Sequence, residues 1–192
     1  MWKSEEKIRC GRCTWHPLMI EYHDKERWIP LHDEQKLFEF MVLDCFQAGL
    51  SWMTIIKKRE NFRKAFDQFD YKKIAKYGEK DFARLMNDAG IIRNKMKIQA
   101  TITNAQAFIR IQEEFGSFDT YIRQFTGGKP FINKRREIKQ VPPRSSQSDA
   151  MSLDLKKHWF KFVGTTISYA FMQAMGMVND HVVDCFCRWD YK

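Results

Sequence analysis

A stretch of nine residues, from Asp44 to Trp52, carries a carboxylate, an amide, a glycine, a leucine and a tryptophan. Proteins hold a flat polar ring, such as a nucleobase, by stacking it on aromatic faces and by hydrogen bonds to its edge. Asp44 can accept a hydrogen bond from a ring N–H or an exocyclic amine, and Tyr22, Trp28 and Trp52 are candidate aromatic faces. The competing interpretation is a junction between two helices, in which Leu50 and Trp52 belong to the core.

A second set of residues has the types that bind zinc. His181 and Cys185 are four residues apart, which places two side chains on one face of a helix. Cys10 and His23, near the other end of the chain, complete a Cys2His2 set of the kind that tetrahedral zinc accepts. Four protein ligands leave no open position on the metal, so the predicted role is structural.

The cysteine count leaves other interpretations of this set open. The chain has five cysteines, an odd number, and its N-terminus lacks the apolar core of a signal peptide. We therefore expect an intracellular protein in which thiols bind metal or stay free, rather than a disulfide framework. Cys13 and Cys187 are alternative ligands, and free buried thiols with solvated imidazoles are the interpretation without a metal.

A third set of residues could contact a polyanion. The 33 Lys and Arg residues exceed the 24 Asp and Glu residues by nine, which favours nucleic acid or an anionic membrane surface as a partner. Gly90 precedes a predicted helix start that carries Arg93, Lys95 and Lys97. Because backbone N–H groups at a helix start bind phosphate, this predicts a phosphate contact, extended by the basic run 57–59. The alternative is an ordinary turn with a solvated basic face.

Hydrophobic periodicity predicts the elements that carry these groups. In the first half of the chain the pattern indicates an irregular segment over 1–32, a helix over 34–48, a helix capped by Ser51 or Thr54 that runs to Phe66, and short helices over 70–88. A long helix then runs to about Phe115, followed by a short helix over 118–125 and a basic loop over 126–147. The last two predicted elements are a helix capped by Ser148 and an apolar helix over 165–178. Strand alternation and internal repeats are missing from the sequence, so the predicted class is all-α.

Composition excludes several kinds of protein. At 44% hydrophobic and 15% aromatic residues the chain is globular, and 192 residues suit one domain. The sequence has no apolar run of about 18 residues, so we expect no contact with a membrane interior. It also has no G-x-G-x-x-G, P-loop, G-x-S-x-G or H-E-x-x-H motif.

Several short motifs, taken in order, resemble those of one known family. They are Tyr22-His23-Asp24, Leu37-Phe38-Glu39, Gln47-Ala48-Gly49-Leu50-Ser51-Trp52, Lys57-Lys58-Arg59-Glu60-Asn61, Asp88-Ala89-Gly90-Ile91-Ile92-Arg93, Phe162-Val163-Gly164-Thr165-Thr166 and Val178-Asn179-Asp180-His181. From about residue 9 to residue 187 the chain resembles the DNA-3-methyladenine glycosylase I family.

The resemblance implies one helix–hairpin–helix domain over 1–192, with the hairpin region at about 80–115. It implies a structural zinc on Cys10, His23, His181 and Cys185. It implies a base pocket of Tyr22, Asp44 and Trp52, to which Trp28 is a candidate addition, with Asp44 as the catalytic carboxylate. It places Leu50 where the family has a residue that fills the gap in the opened duplex.

The implied activity is monofunctional hydrolysis of the N-glycosidic bond of 3-methyladenine, a step of base-excision repair. The implied partner is double-stranded DNA that contains alkylated bases. We expect a monomer in the bacterial cytoplasm, associated with the nucleoid.

The chain departs from the family pattern at the pocket. Asp44 stands where the family has glutamate, Cys45 where it has glycine, and Arg27-Trp28 where it has Trp-Gly. These departures allow a pocket that has closed around Asp44 with the help of Trp28, a changed range of alkylated bases, or a non-catalytic, zinc-stabilised DNA-binding module. A metal-binding protein unrelated to nucleic acid is a further class, which the basic charge disfavours.

Overall fold

The computed structural model describes residues 7–11 and 13–189. Within this part the helices are α1 (Pro17–Lys25), α2 (Glu34–Gln47), α3 (Trp52–Ile56), α4 (Arg59–Ala65), α5 (Tyr71–Ile74), α6 (Glu79–Asn87), α7 (Lys95–Phe115), α8 (Phe118–Arg123), α9 (Ser146–Lys157) and α10 (Thr165–Ala174), with single 3-10 turns at Asp67–Phe69, Gln124–Thr126 and Ile138–Gln140. The predicted helical class is confirmed. The first six residues of the charged N-terminal segment lie outside the described residues.

The central helices α2 and α7 are set by their caps and their apolar faces. The Asp33 side chain accepts a hydrogen bond from the Lys36 amide, and the Asn94 side chain accepts one from the Lys97 amide. These bonds satisfy backbone donors that have no partner inside the helix. The two helices contact each other and share an aromatic core, in which the Phe38 and Phe108 rings lie 5.3 Å apart. This core supports the residues at the C-terminal end of α2.

Four helical segments differ from the sequence expectation, one of them being α10, which ends at Ala174 rather than at residue 178. The segment predicted as irregular contains α1, because Pro17 occupies its first turn, where a missing N–H costs nothing. Helix α9 is capped by Ser145 rather than Ser148, because the two serines cap each other's amides reciprocally. The helix expected from Ser51 to Phe66 is two short helices, and Ser51 caps the first of them.

Two short parallel strands, β1 (Phe131–Ile132) and β2 (Val178–Asn179), were not predicted. They join the basic loop to the C-terminal segment, because extended backbone in a packed position needs hydrogen-bond partners. Helix α10 ends before Gly176, which has φ +61° and packs so tightly that an added Cβ would clash with the Pro30 nitrogen. The described helices include none that is long and apolar enough to cross a membrane.

Candidate functional site

A cavity of about 620 Å³ lies between α1, the C-terminal end of α2, α3 and α10. We call it the Asp44 cavity. Its lining residues are Gly11, Trp15, Met19, Tyr22, Arg27, Asp44, Gln47, Ser51, Trp52, Met53, Ala170 and Gln173. Three of the residues predicted from sequence, Tyr22, Asp44 and Trp52, therefore meet at one site.

Asp44 lies in the last turn of α2 and only 3% of its surface is exposed. Its Oδ2 atom is buried and has no hydrogen-bond partner among the described residues. Burial raises the pKa of this carboxyl well above its usual range, because the charged form loses its hydration. A buried carboxylate without a partner is costly in the free protein, and a ligand that supplies a donor or a positive charge removes that cost.

Aromatic side chains form one wall of the Asp44 cavity. The ring centroids of Tyr22 and Trp52 are 5.2 Å apart. Phe40 stacks near Trp52 at 6.4 Å, with ring planes 17° apart, and fixes the orientation of the indole. Burial raises the pKa of the Tyr22 hydroxyl, so it stays a neutral hydrogen-bond donor at physiological pH. The wall can therefore stack on a flat ring and hydrogen-bond to it.

Arg27 lines the Asp44 cavity, whereas Trp28 does not. Trp28 is fully buried, adopts a left-handed φ of 61° and packs edge-on against the His181 ring at 4.4 Å. The Arg27 guanidinium lies 4.0 Å from the centroid of the Trp28 ring. Trp28 therefore supports a cavity residue from behind and does not itself offer a stacking face to the cavity.

The turn after α2 stands at the edge of the same cavity. Gly49 has φ +79°, which lets the chain reverse, and Leu50 follows with 41% of its surface exposed. The Lys97 ammonium donates hydrogen bonds of 2.8 Å to the Phe46 carbonyl and 2.6 Å to the Ala48 carbonyl. Lys97 is thus buried and holds this turn in place, rather than facing solvent with its basic neighbours.

Gly90 lies in the connection between α6 and α7. Its amide donates to the Asp88 side chain at 2.7 Å, and its carbonyl accepts from the Lys58 ammonium at 3.0 Å. An added Cβ would lie 2.9 Å from the Asp88 carboxylate. Arg93 and Lys95 are exposed next to this turn. A fixed turn beside exposed basic side chains is an arrangement that can contact phosphate.

The four candidate zinc ligands are brought together away from the Asp44 cavity. Cys10, His23, His181 and Cys185 are all buried, and their ligand atoms lie within 4.8 Å of one another. The Cys185 sulfur is 3.3 Å from His181 Nδ1 and 3.5 Å from His23 Nε2. His181 and Cys185 are joined by a turn instead of the expected helix.

The donor set fits a tetrahedral ion. Zinc bonds of roughly 2.0–2.3 Å place ligand atoms roughly 3.3–3.8 Å apart, which is close to the observed separations. Asp24 Oδ1 is 2.8 Å from His23 Nδ1, so the other nitrogen, Nε2, is directed at the cluster. The hydrogen bonds with Cys10 and the two imidazoles lower the pKa of the Cys185 thiol, which favours the thiolate that a metal requires.

The alternative thiols are outside this set. The Cys13 sulfur donates to the Cys10 carbonyl, and burial raises the pKa of Cys13. Cys187 lies 3.8 Å from His23 Nδ1, a nitrogen that Asp24 already engages.

Other cavity residues were not identified from the sequence. Trp15 and Gln173 line the Asp44 cavity together with the predicted residues and with Gln47 and Ser51 of the stretch 44–52. Trp15 and Gln173 lie in segments where the sequence had suggested only irregular chain or an apolar helix. Their types carry no spacing signal, because they reach the cavity through the packing of α1 and α10.

Comparisons with known proteins agree on one family. A family model described as methyladenine glycosylase matches residues 12–188. DNA-3-methyladenine glycosylase 1 of Escherichia coli K12 is 49% identical over 179 residues, covering 93% of this chain and 96% of the relative. A crystal structure of 3-methyladenine DNA glycosylase I superposes with a TM-score of 0.92 at 47% identity, covering 95% of this chain and all of the other. The structure of a tyrosine-to-phenylalanine variant of 3-methyladenine DNA glycosylase I in complex with 3-methyladenine superposes with a TM-score of 0.93 at 30% identity. The match covers 96% of this chain and 99% of the other.

Proposed function

We propose that this chain, which belongs to the methyladenine glycosylase family, removes 3-methyladenine from alkylated DNA in base-excision repair. The reaction is hydrolysis of the N-glycosidic bond. The observation that carries the proposal is the Asp44 cavity, in which a buried carboxylate oxygen with no hydrogen-bond partner among the described residues lies in the same pocket as the Tyr22 and Trp52 rings.

Charge explains how the cavity selects its base. Methylation at N3 makes adenine cationic, so the glycosidic bond is already weak and the base leaves as a neutral molecule. Recognition then matters more than strong acid catalysis. The Asp44 carboxylate favours the cationic base over neutral adenine, because a charge pair is strong where water is excluded. Tyr22 and Trp52 add a cation–π attraction of roughly 0.5–2 kcal/mol.

Water is the nucleophile in the proposed reaction. Among the described residues that line the Asp44 cavity, none is a lysine. A glycosylase that also cleaves the strand needs an amine to form a Schiff base with the sugar. We therefore expect base release without strand cleavage.

The DNA-binding surface is proposed to include Leu50 and the Gly90 turn. Leu50 is exposed beside the cavity and is suited to fill the space that the extracted base leaves in the duplex. Arg93 and Lys95, with the Gly90 turn, are suited to contact phosphate, and α6 and α7 form the proposed helix–hairpin–helix. We leave Lys97 out of this surface, since its ammonium binds backbone carbonyls inside the protein.

We propose that the Cys10, His23, His181 and Cys185 cluster holds zinc. Zinc on four protein ligands supplies a structural cross-link and no reactive position. The cross-link joins the N-terminal segment to the C-terminal segment. It also supports Trp28, and through Trp28 the cavity residue Arg27. The protein acts as a monomer on double-stranded DNA in this proposal.

The experiment is to incubate the folded, zinc-loaded protein with methylated duplex DNA and to measure released bases by chromatography. Release of 3-methyladenine above the spontaneous rate, with the DNA strands intact, is expected. DNA binding with a steep salt dependence but without base release would instead identify a non-catalytic binding module. Absence of both binding and release would remove the proposal altogether.

A further inference from the structure

We infer that Gln173 is a specificity-determining residue that accepts a hydrogen bond from the exocyclic amine of the base and disfavours guanine. This inference rests on the proposed function. Gln173 is half-buried in the last turn of α10 and lines the Asp44 cavity. Its side-chain amide is oriented by a hydrogen bond to a neighbouring carboxylate.

Asp180 determines which end of the Gln173 amide is available. The Gln173 Nε2 atom donates a hydrogen bond of 2.8 Å to Asp180 Oδ2. Asp180 is fully buried and also accepts from the Tyr169 hydroxyl and the Asn133 amide, both at 2.8 Å. An ionised carboxylate has only acceptor atoms. A flipped Gln173 amide would set its oxygen against the carboxylate, so the observed orientation is strongly preferred.

The orientation leaves the Gln173 carbonyl oxygen, Oε1, for a ligand. The Oε1 atom receives no hydrogen bond from the described residues. It is also not one of the fully buried polar atoms that lack a partner, so a ligand can reach it. The Asp44 carboxylate and Gln173 Oε1 are therefore oxygen acceptors of the same cavity, which the side chains of Gln47 and Ser51 also line.

This pattern distinguishes two bases that carry the same charge. Both 3-methyladenine and 3-methylguanine are cationic while attached to the sugar, so the charge of Asp44 favours both. At position 6, adenine has an amine with two donors and guanine has a carbonyl acceptor. A guanine carbonyl facing Oε1 leaves two acceptors unpaired, which a closed site penalises heavily. Arg27 does not disfavour guanine, because its donors can bind N7 and the position-6 carbonyl of guanine together, so discrimination against guanine is assigned to Gln173.

The test measures the ratio of 3-methyladenine to 3-methylguanine released from the same DNA, methylated with dimethyl sulfate. Gln173→Met keeps the length of the side chain and removes the acceptor. We expect the ratio to fall by roughly tenfold or more, as for loss of one base-edge contact. The matched control is Gln106→Met on α7, an exposed glutamine whose amide donates to the Ala75 carbonyl outside the cavity. The control should leave the ratio unchanged.

Asp180→Asn gives a second and independent arm. The asparagine amide can donate to Gln173 Oε1, which lets the Gln173 amide turn its N–H groups toward the base. The ratio should again shift toward 3-methylguanine, a result that a loss of packing alone does not produce. Thermal melting shows whether this buried variant folds, and Gln173→Met decides the matter if it does not.

The outcomes separate this inference from the proposed function. Wild-type protein that releases 3-methyladenine and 3-methylguanine at equal rates overturns the role of Gln173 and leaves the glycosylase activity intact. An unchanged ratio in a folded Gln173→Met variant does the same. Failure of wild-type protein to release 3-methyladenine at all counts against the proposed function instead.

Discussion

Replacing Asp44 with asparagine should separate the activity of this protein from its stability. The substitution keeps the shape of the side chain and removes its charge. Asp44 Oδ2 has no partner among the described residues, so the change breaks no hydrogen bond to that atom. Burial raises the pKa of Asp44 in the folded state above its value in the unfolded chain. Folding therefore binds a proton between these two pKa values, and the wild-type protein loses stability as pH rises through that window.

The sign of both effects follows from the buried charge. At pH 7 the Asp44→Asn variant should be more stable than the wild type, because its folded state neither buries a charge nor takes up a proton at this position. Activity should change in the opposite direction. A carboxylate about 4 Å from a cationic base contributes about 4 kcal/mol at an effective dielectric constant near 20. Its loss should lower kcat/KM by about a thousandfold.

The assay is single-turnover release of 3-methyladenine across a pH series, beside thermal melts of the same samples. Wild-type activity should fall on acidification, because protonated Asp44 no longer attracts the cation. The asparagine variant should be slow at every pH. Glu113→Gln, which removes an exposed carboxylate on α7, is the charge-matched control and should behave as the wild type.

Two results would refute this reasoning. The first is an asparagine variant whose kcat/KM at pH 7 lies within threefold of the wild type. The second is wild-type activity that stays constant on acidification while the protein remains folded and the free base is detected normally.

Three further predictions concern the Cys2His2 cluster and the DNA-binding surface. The Cys185→Ser substitution should lower stability by several kcal/mol, and removal of metal with a chelator should do the same. Both are measured as a lower Tm together with loss of bound zinc. An unchanged Tm would show that the cluster holds no metal. Leu50→Ala should weaken binding to duplex DNA by about 2 kcal/mol without changing affinity for free 3-methyladenine, since only the duplex has a gap to fill. Equal losses of affinity in both assays would contradict the role of Leu50 in filling the duplex. Lys95→Gln should reduce the slope of log affinity for DNA against log salt concentration by about one. Lys97→Met should leave that slope unchanged. It should instead lower the free energy of unfolding, measured in urea, by about 2–3 kcal/mol, because two backbone carbonyls lose a charged donor.

The sequence allowed prediction of elements with strong periodicity and of residues with distinctive chemistry. Helices α2 and α7 follow their caps and apolar faces, and the four cysteine and histidine residues of the cluster are brought together as predicted. Zinc itself stays a prediction. Tyr22, Asp44 and Trp52 meet in one cavity because they lie on three elements that pack together.

The direction of individual side chains could not be predicted in the same way. Trp28 was a candidate base-stacking residue, but its left-handed backbone turns the indole toward His181 and leaves Arg27 at the cavity. Lys97 looked like its basic neighbours, but its position on α7 points it at the carbonyls that end α2. Both outcomes depend on how one element is rotated against another, which local sequence patterns do not encode.

Helix α1 carries Tyr22 and His23 at adjacent positions, one lining the Asp44 cavity and the other reaching the Cys2His2 cluster. The nine-residue helix α1 therefore positions side chains for both the cavity and the cluster. A substitution that rotates this helix to improve one side would displace the other. Designers who want to retune the cavity for a different lesion should therefore begin on α3, because α10 is hydrogen-bonded through Tyr169 and Gln173 to Asp180, the neighbour of His181.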